Sequence, residues 1–163
     1  MLNDEIKQYI GRSVLCWLAT CNHQGEPNVS PKEMFTYTDD HTLLIAHIAS
    51  PNSVKNIREN PRVCVSMVDI FVQKGFKLMG KARLIFPGEH EFAEKAHRFI
   101  ARFGEGYPIR ALIEITVQRT ERIIAPNYIL KPGTTEESQV REALRIYSVQ
   151  LSNSGFPGFE NSH

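Results

Sequence analysis

The chain has 163 residues, 42% hydrophobic and 23% charged, which is enough to bury a core and ordinary for a soluble globular protein. A formal net charge of +1 without a Lys/Arg-rich run argues against a nucleic-acid partner, and no apolar run reaches membrane-spanning length. The start, MLNDEIKQ, is too acidic and polar for a secretory leader, and Cys16, Cys21 and Cys64 form neither a CxxC pair nor an even-numbered framework, so reduced thiols and a cytoplasmic location are expected.

Leu2, Ile6, Tyr9 and Ile10 recur at helical spacing behind Asn3, a good cap, and Gly11 is the expected end of this first helix. Residues 14–20, VLCWLAT, are apolar nearly throughout and read as a strand. CNHQGEP supplies turn chemistry around Gly25 and Pro27. Residues 28–38, NVSPKEMFTYT, read as one second strand. Pro31 has no N–H to give to a ladder, so this strand must be an edge or bulged there. Polar Ser30, Lys32 and Glu33 crowd the same place. Either the edge is defended by proline and charge, or the backbone has left a ladder to face a ligand.

Asp39 and Asp40 close a hairpin into TLLIAHI, residues 42–48, which ends near Ala46 and His47. His47 is either a strand residue satisfied by backbone or a neutral imidazole offered to a ligand. Ser50 is then a good N-cap, Pro51 suits the first helical position, and Pro61 stops the helix just after Asn60. Val54 and Ile57 lie on the face expected to pack inward. The helix head gathers free N–H groups, the hydroxyls of Ser50 and Ser53, the amide of Asn52 and the ammonium of Lys55. That is either a ready anion site or a capped, solvated surface helix.

RVCVSMV, residues 62–68, is the next strand, and IFVQKG connects it to FKLMGKARLIF, residues 76–86. Gly80 within that strand suggests a bulge, a bend or a close approach. Residues 89–103 form the clearest helix, with Phe92, Ala96, Phe99, Ile100 and Phe103 as a core-facing stripe and Gly104 as its end. His90 and His97 have no third ligand at metal spacing, so no metal site is expected. Residues 108–120 alternate Ile109, Ala111, Ile113, Ile115 and Val117 against polar neighbours, as a half-buried strand does. In a last helix Thr134 and Glu137 fit a capping box ahead of Val140, Leu144, Tyr147 and Leu151. Residues 1–151 are thus expected to form one domain, and residues 152–163, rich in Gly, Ser, Asn and Pro, a flexible tail. GxSxG, P-loop, GxGxxG and zinc spacings are all missing from the sequence. Any redox chemistry therefore falls to a cofactor.

In order and spacing, the blocks GEPNVSPKEMF, DDHTLLIAHI, SPNSVKNIRENPRVCV and GFKLMGKARLI resemble the FMN-binding split-barrel family, which includes pyridoxamine 5′-phosphate oxidase and small bacterial FMN-binding proteins. The likeness runs over residues 14–119, and no single motif in it is diagnostic. It implies a mainly β fold with peripheral helices, a six-stranded Greek-key split β-barrel, and a homodimer with FMN at the subunit interface. Carried over residue by residue, it implies contacts to the flavin ring and ribityl chain from Ser30, Pro31, Lys32 and Glu33. Ala46 and His47 would stand beside them, and Ser50, Asn52, Ser53 and Lys55 would capture the phosphate.

The strand through Gly75 and Phe76 would complete the partner's pocket. The oxidase's glutamine is missing there, although Gln73 is close by. Ser30 and Phe35 also fall where the oxidase has basic residues. Its Arg- and Trp-bearing C-terminal segment has no counterpart, since Trp17 is the single tryptophan and Arg141 and Arg145 lie on a predicted helix. The expected function is an FMN-dependent oxidoreductase acting on a small-molecule substrate or a reduced nicotinamide as electron donor. A true pyridoxamine 5′-phosphate oxidase is not expected. The alternatives are a non-catalytic flavin-binding or electron-transfer protein, and a split barrel that uses haem or a deazaflavin.

Overall fold

The computed structural model describes residues 1–149, so the expected tail and Leu151 lie outside the described residues. In chain order the strands are β1 (Cys16–Cys21), β2 (Pro27–Lys32), β3 (Phe35–Tyr37), β4 (Thr42–His47), β5 (Arg62–Asp69), β6 (Lys74–Ile85) and β7 (Ala111–Ile124). The helices are α1 (Asp4–Arg12), α2 (Pro51–Glu59), α3 (Phe92–Phe103), α4 (Asn127–Leu130) and α5 (Glu136–Ile146). The strands form one curled antiparallel sheet in the order β2-β1-β5-β6-β7-β4-β3.

Seven strands replace the expected six, because residues 28–38 do not run as one. β2 pairs with β1, setting Pro31 opposite Trp17 on an edge strand, where a missing N–H costs no bond to a second neighbour. The chain then breaks at Glu33 and Met34, and β3 pairs with β4 at the opposite edge of the sheet. One segment thus belongs to both edges and draws the sheet round. The Ala46 N–H donates to the Met34 carbonyl at 2.9 Å across the break.

Inward-facing Leu18, Val65, Met67, Leu78, Ile113 and Ile115 fill the sheet's concave side, closed by Ile6, Tyr9 and Ile10 of α1. A second cluster forms where Ala96 and Phe99 of α3 meet Met34, Leu44, Ala46, Ile85 and Leu112. Burial is therefore continuous from Ala111 to Ile113 rather than alternating, since both faces of β7 are covered there. Phe76 belongs to the first cluster, edge-on to Tyr9 at a 5.3 Å centroid distance.

Several boundaries differ from expectation for local reasons. α1 runs through Gly11 to Arg12, and Arg102 satisfies its last carbonyls by donating to Gly11 O at 2.9 Å and Ile10 O at 3.3 Å. α3 starts at Phe92, because Glu91 is held by Arg83 and Lys95 at 2.5 Å each and Glu89 accepts from the Phe86 N–H. Gly80 sits at the expected bulge, where β6 and β7 shift register. α5 is capped one residue late, by Thr135 with Ser138, because the Thr134 hydroxyl donates to Lys131 O instead. Gln139 and Ala143 are its buried positions; Val140 and Leu144 are half-buried, and Tyr147 is exposed, edge-on to Phe71. The short α4 was not expected, and Tyr128 anchors it by donating to Val72 O at 2.8 Å. No helix among the described residues is long and apolar enough to cross a membrane.

Candidate functional site

Lys32 ends β2, and the chain break that follows leaves its side chain under the head of α2, only 5% exposed. Its ammonium donates to the Ser30 hydroxyl at 2.9 Å and to the Ser50 hydroxyl, and the two hydroxyls are 3.2 Å apart. No carboxylate pairs with it among the described residues. Burial pushes its pKa below the ordinary lysine value. The nearby Cys16 thiol is itself pushed up to about 12 by burial, so it supplies no counter-anion at neutral pH.

Ser50 stands at the N-cap of α2 but makes no side-chain cap, because its hydroxyl is turned to Lys32. With Pro51 next, the first-turn N–H groups of Asn52 and Ser53 are left without that cap. The Ser50 N–H donates to His47 Nδ1 at 3.4 Å. His47 is buried, and burial, then Lys32 and Arg110, push its pKa down. It is therefore a neutral imidazole with Nδ1 accepting and its proton on Nε2. Ser30, Pro31, Lys32, Glu33, Ala46 and Ser50 line a cavity of about 460 Å³, walled on the far side by Phe103 and Tyr107.

The remaining expected residues lie elsewhere on α2. Ser53 is fully buried and turned toward the sheet, where the Asn28 amide donates to it at 3.4 Å and to Thr20 Oγ1 at 3.3 Å. Asn56 donates to the same threonine oxygen at 3.1 Å. α2 thus docks through Ser53, Asn56 and Ile57, with Val54 only half-buried. Asn52 and Lys55 are exposed and have no side-chain hydrogen bond among the described residues. Sequence reasoning missed Phe103 and Tyr107; the helix end at Gly104 beside two aromatics is the signal that points there. No group of His, Cys, Asp and Glu among the described residues could hold a metal ion.

A larger, shallow depression of about 700 Å³ lies away from Lys32, on the outer face of the sheet, where Ala19, Cys64 and Met79 are rimmed by Arg62, Lys81 and Arg119.

A curled antiparallel sheet split at one crossing, with a polar cavity at the split, defines the split-barrel class of fold. The pyridoxamine 5′-phosphate oxidase family model matches residues 2–123, and the chain belongs to that family. The heme oxygenase HutZ of Vibrio cholerae is 29% identical over 110 residues; the match spans 65% of this chain and 61% of HutZ. HupZ of Group A Streptococcus is structurally similar with a TM-score of 0.63 and 27% identity, covering 74% of this chain and 92% of that one. An FMN-binding protein from Syntrophomonas wolfei gives a TM-score of 0.65 at 12% identity, over 76% and 87% of the two chains, which is a likeness of fold alone.

Proposed function

We propose that this chain is an FMN-binding flavoprotein acting as an oxidoreductase on a small-molecule substrate or reduced nicotinamide. The observation that carries this reading is the buried ammonium of Lys32, flanked by two hydroxyls at a helix head and paired with no carboxylate among the described residues. A buried ammonium without a counter-charge is disfavoured, and an anion that joins it relieves that cost. A phosphate monoester supplies both that charge and acceptors for the two hydroxyls and the uncapped N–H groups.

The FMN phosphate would thus be held by Lys32, Ser30 and Ser50, with Asn52 and Lys55 attracting it from the outer side of the helix head. Ser53 would act by fixing α2 to Asn28. Pro31, Glu33 and Ala46 would wall the cavity, and neutral His47 would hold the Ser50 backbone in place. Bound FMN would supply the hydride and electron transfer that these side chains do not provide.

A homodimer fits the same reading. On the outer face of the sheet Trp17 is 46% and Val29 59% exposed, beside Ala19 and Met79. β2 carries Ser30 and Lys32 on one side and Val29 and Pro31 on the other, so a second copy seated there would adjoin the site. The three free thiols support a reducing, cytoplasmic setting.

Haem is the second reading, favoured by the relationship to HutZ. The visible spectrum of the purified protein and of its extracted cofactor tests both. Flavin bands with FMN in the extract support the first reading, and a Soret band with extractable haem replaces it.

A further inference from the structure

Beside the Lys32 cavity lies a second one of about 390 Å³, walled by Phe92, Ala96, Ile100 and Ile109. Met34 and Tyr107 line both cavities, so the two compartments adjoin across these side chains. The gap has a cause in the fold. Ala96 and Phe99 carry α3 into the second core cluster, while Phe92, Phe103 and Ile109 are only partly covered. Gly104 and Gly106, at φ 85° and 101°, turn the chain through left-handed backbone, so the segment from 104 to 109 arches over this space rather than filling it. Ile100 stays 40% and Tyr107 52% exposed at its mouth.

The two compartments share aromatic and aliphatic walls and differ in their polar groups. The first adds the buried Lys32 ammonium and the Ser30 and Ser50 hydroxyls, with Glu33 at its lining. The second holds two aromatic rings, a thioether and aliphatic side chains, with one carboxylate, Glu105, and no cation. Glu105 disfavours an anion there, while ring faces and the Met34 sulfur favour a flat apolar group. Its volume falls within the range of small-molecule sites, roughly 300–1,000 Å³.

We infer that this second cavity is the substrate compartment of the site and takes an uncharged aromatic group of one or two rings, with the Tyr107 hydroxyl available to one polar substituent. The inference rests on the reading that the Lys32 compartment holds the cofactor phosphate; the apolar neighbour is then the adjoining place left for a second ligand.

Fluorescence titration of the full chain with 2-naphthol and 2-naphthoate tests this. The wild type binds 2-naphthol at least ten-fold more tightly than the carboxylate. Ile100→Trp, which fills the cavity from its exposed side, weakens 2-naphthol at least ten-fold. Tyr107→Ala, at a more exposed position, does the same by opening the wall, and it decides the matter if Ile100→Trp does not fold. Naphthol binding that survives both substitutions, equal or tighter binding of naphthoate, or no binding of either by the wild type overturns the inference. FMN titration reports separately on the cofactor site. FMN affinity unmoved by Lys32→Ala overturns the cofactor reading and leaves the naphthol result as it stands.

Discussion

Ser50 occupies the N-cap position of α2, yet its hydroxyl accepts a hydrogen bond from Lys32 rather than from the helix's own first turn. A serine cap ordinarily stabilises a helix by about 1 kcal/mol. Here that hydroxyl instead helps to solvate a buried ammonium, and the helix head stays open to an outside acceptor. Ser50→Ala is therefore expected to change thermal stability less than an ordinary cap deletion. It should weaken FMN at the same time, and calorimetry with parallel FMN titration checks both.

Lys32, rather than Lys55, is expected to dominate phosphate binding. A charge-assisted contact of this kind contributes roughly 1.5–3 kcal/mol, so Lys32→Met should weaken FMN by about ten- to a hundred-fold. Riboflavin, which lacks the phosphate, should bind as before. The same substitution removes a buried, uncompensated charge, and the cofactor-free protein should gain about 1 kcal/mol in stability. Lys55→Ala, at an exposed position, should cost FMN about threefold or less. Titrating both ligands into both variants decides it; a larger loss at Lys55 would move the phosphate to the outer side of α2.

The split in residues 28–38 shows where the sequence is legible and where it stops. Pro31 announces an edge or a bulge, and the apolar blocks announce strands, while the barrel is what the family resemblance implies. Nothing local says that Met34 leaves one edge and Phe35 joins the other, because that choice is made by pairing with β4, which is remote in sequence. The candidate site divides in the same way. Ser30, Pro31, Lys32, Glu33, Ala46 and Ser50, grouped by the family resemblance, line one cavity. Ser53 reads as a phosphate ligand by type, and its burial against Asn28 is a tertiary fact. Tyr107 joins the cavity through the bend at Gly104 and Gly106, whose direction is set by packing of α3.

Stability and affinity should respond to pH in opposite senses. The folded-state pKa of Lys32 lies below its unfolded value, because burial disfavours the charged form. Between the two values the unfolded chain binds more protons, so the cofactor-free protein gains stability as pH rises through that window. His47, also lowered by burial, adds a gain of the same sign at more acidic pH, between its own depressed value and the ordinary histidine range. FMN needs the ammonium, so its affinity should fall as pH rises past the folded pKa of Lys32. Near and above that folded pKa the phosphate, with a second pKa of ~6, is already dianionic, so binding there should take up a proton. Calorimetry in buffers of different ionisation enthalpy measures that uptake, and Lys32→Met should abolish it.

The β6–β7 bulge is expected to be intolerant of any side chain. A Cβ at Gly80 would stand 2.1 Å from the Thr116 carbonyl oxygen and 2.9 Å from its carbon, both backbone atoms of the neighbouring strand. Neither atom can move without breaking the ladder beside it. Gly80→Ala should therefore destabilise by about 3 kcal/mol or more, read as a fall in the denaturation midpoint.

The last prediction concerns the reaction that gives the family its name. In this chain Arg141 is paired with Glu137 at 2.7 Å, and Arg145 with Glu142 at 2.6 Å, both within α5. Trp17, the single tryptophan, lies on the outer face of β1 opposite Pro31 and Ser66. Neither arginine lines the cavity at Lys32, and the one buried cation there is assigned to the cofactor. A second phosphate, on pyridoxamine, would meet Glu33 and Glu105 around these compartments and no further buried cation among the described residues. The FMN-loaded protein is therefore expected to form pyridoxal phosphate no faster than free FMN does. Anaerobic mixing with pyridoxamine phosphate, followed by the bleaching of the flavin band, checks this directly. Rapid bleaching would overturn this expectation.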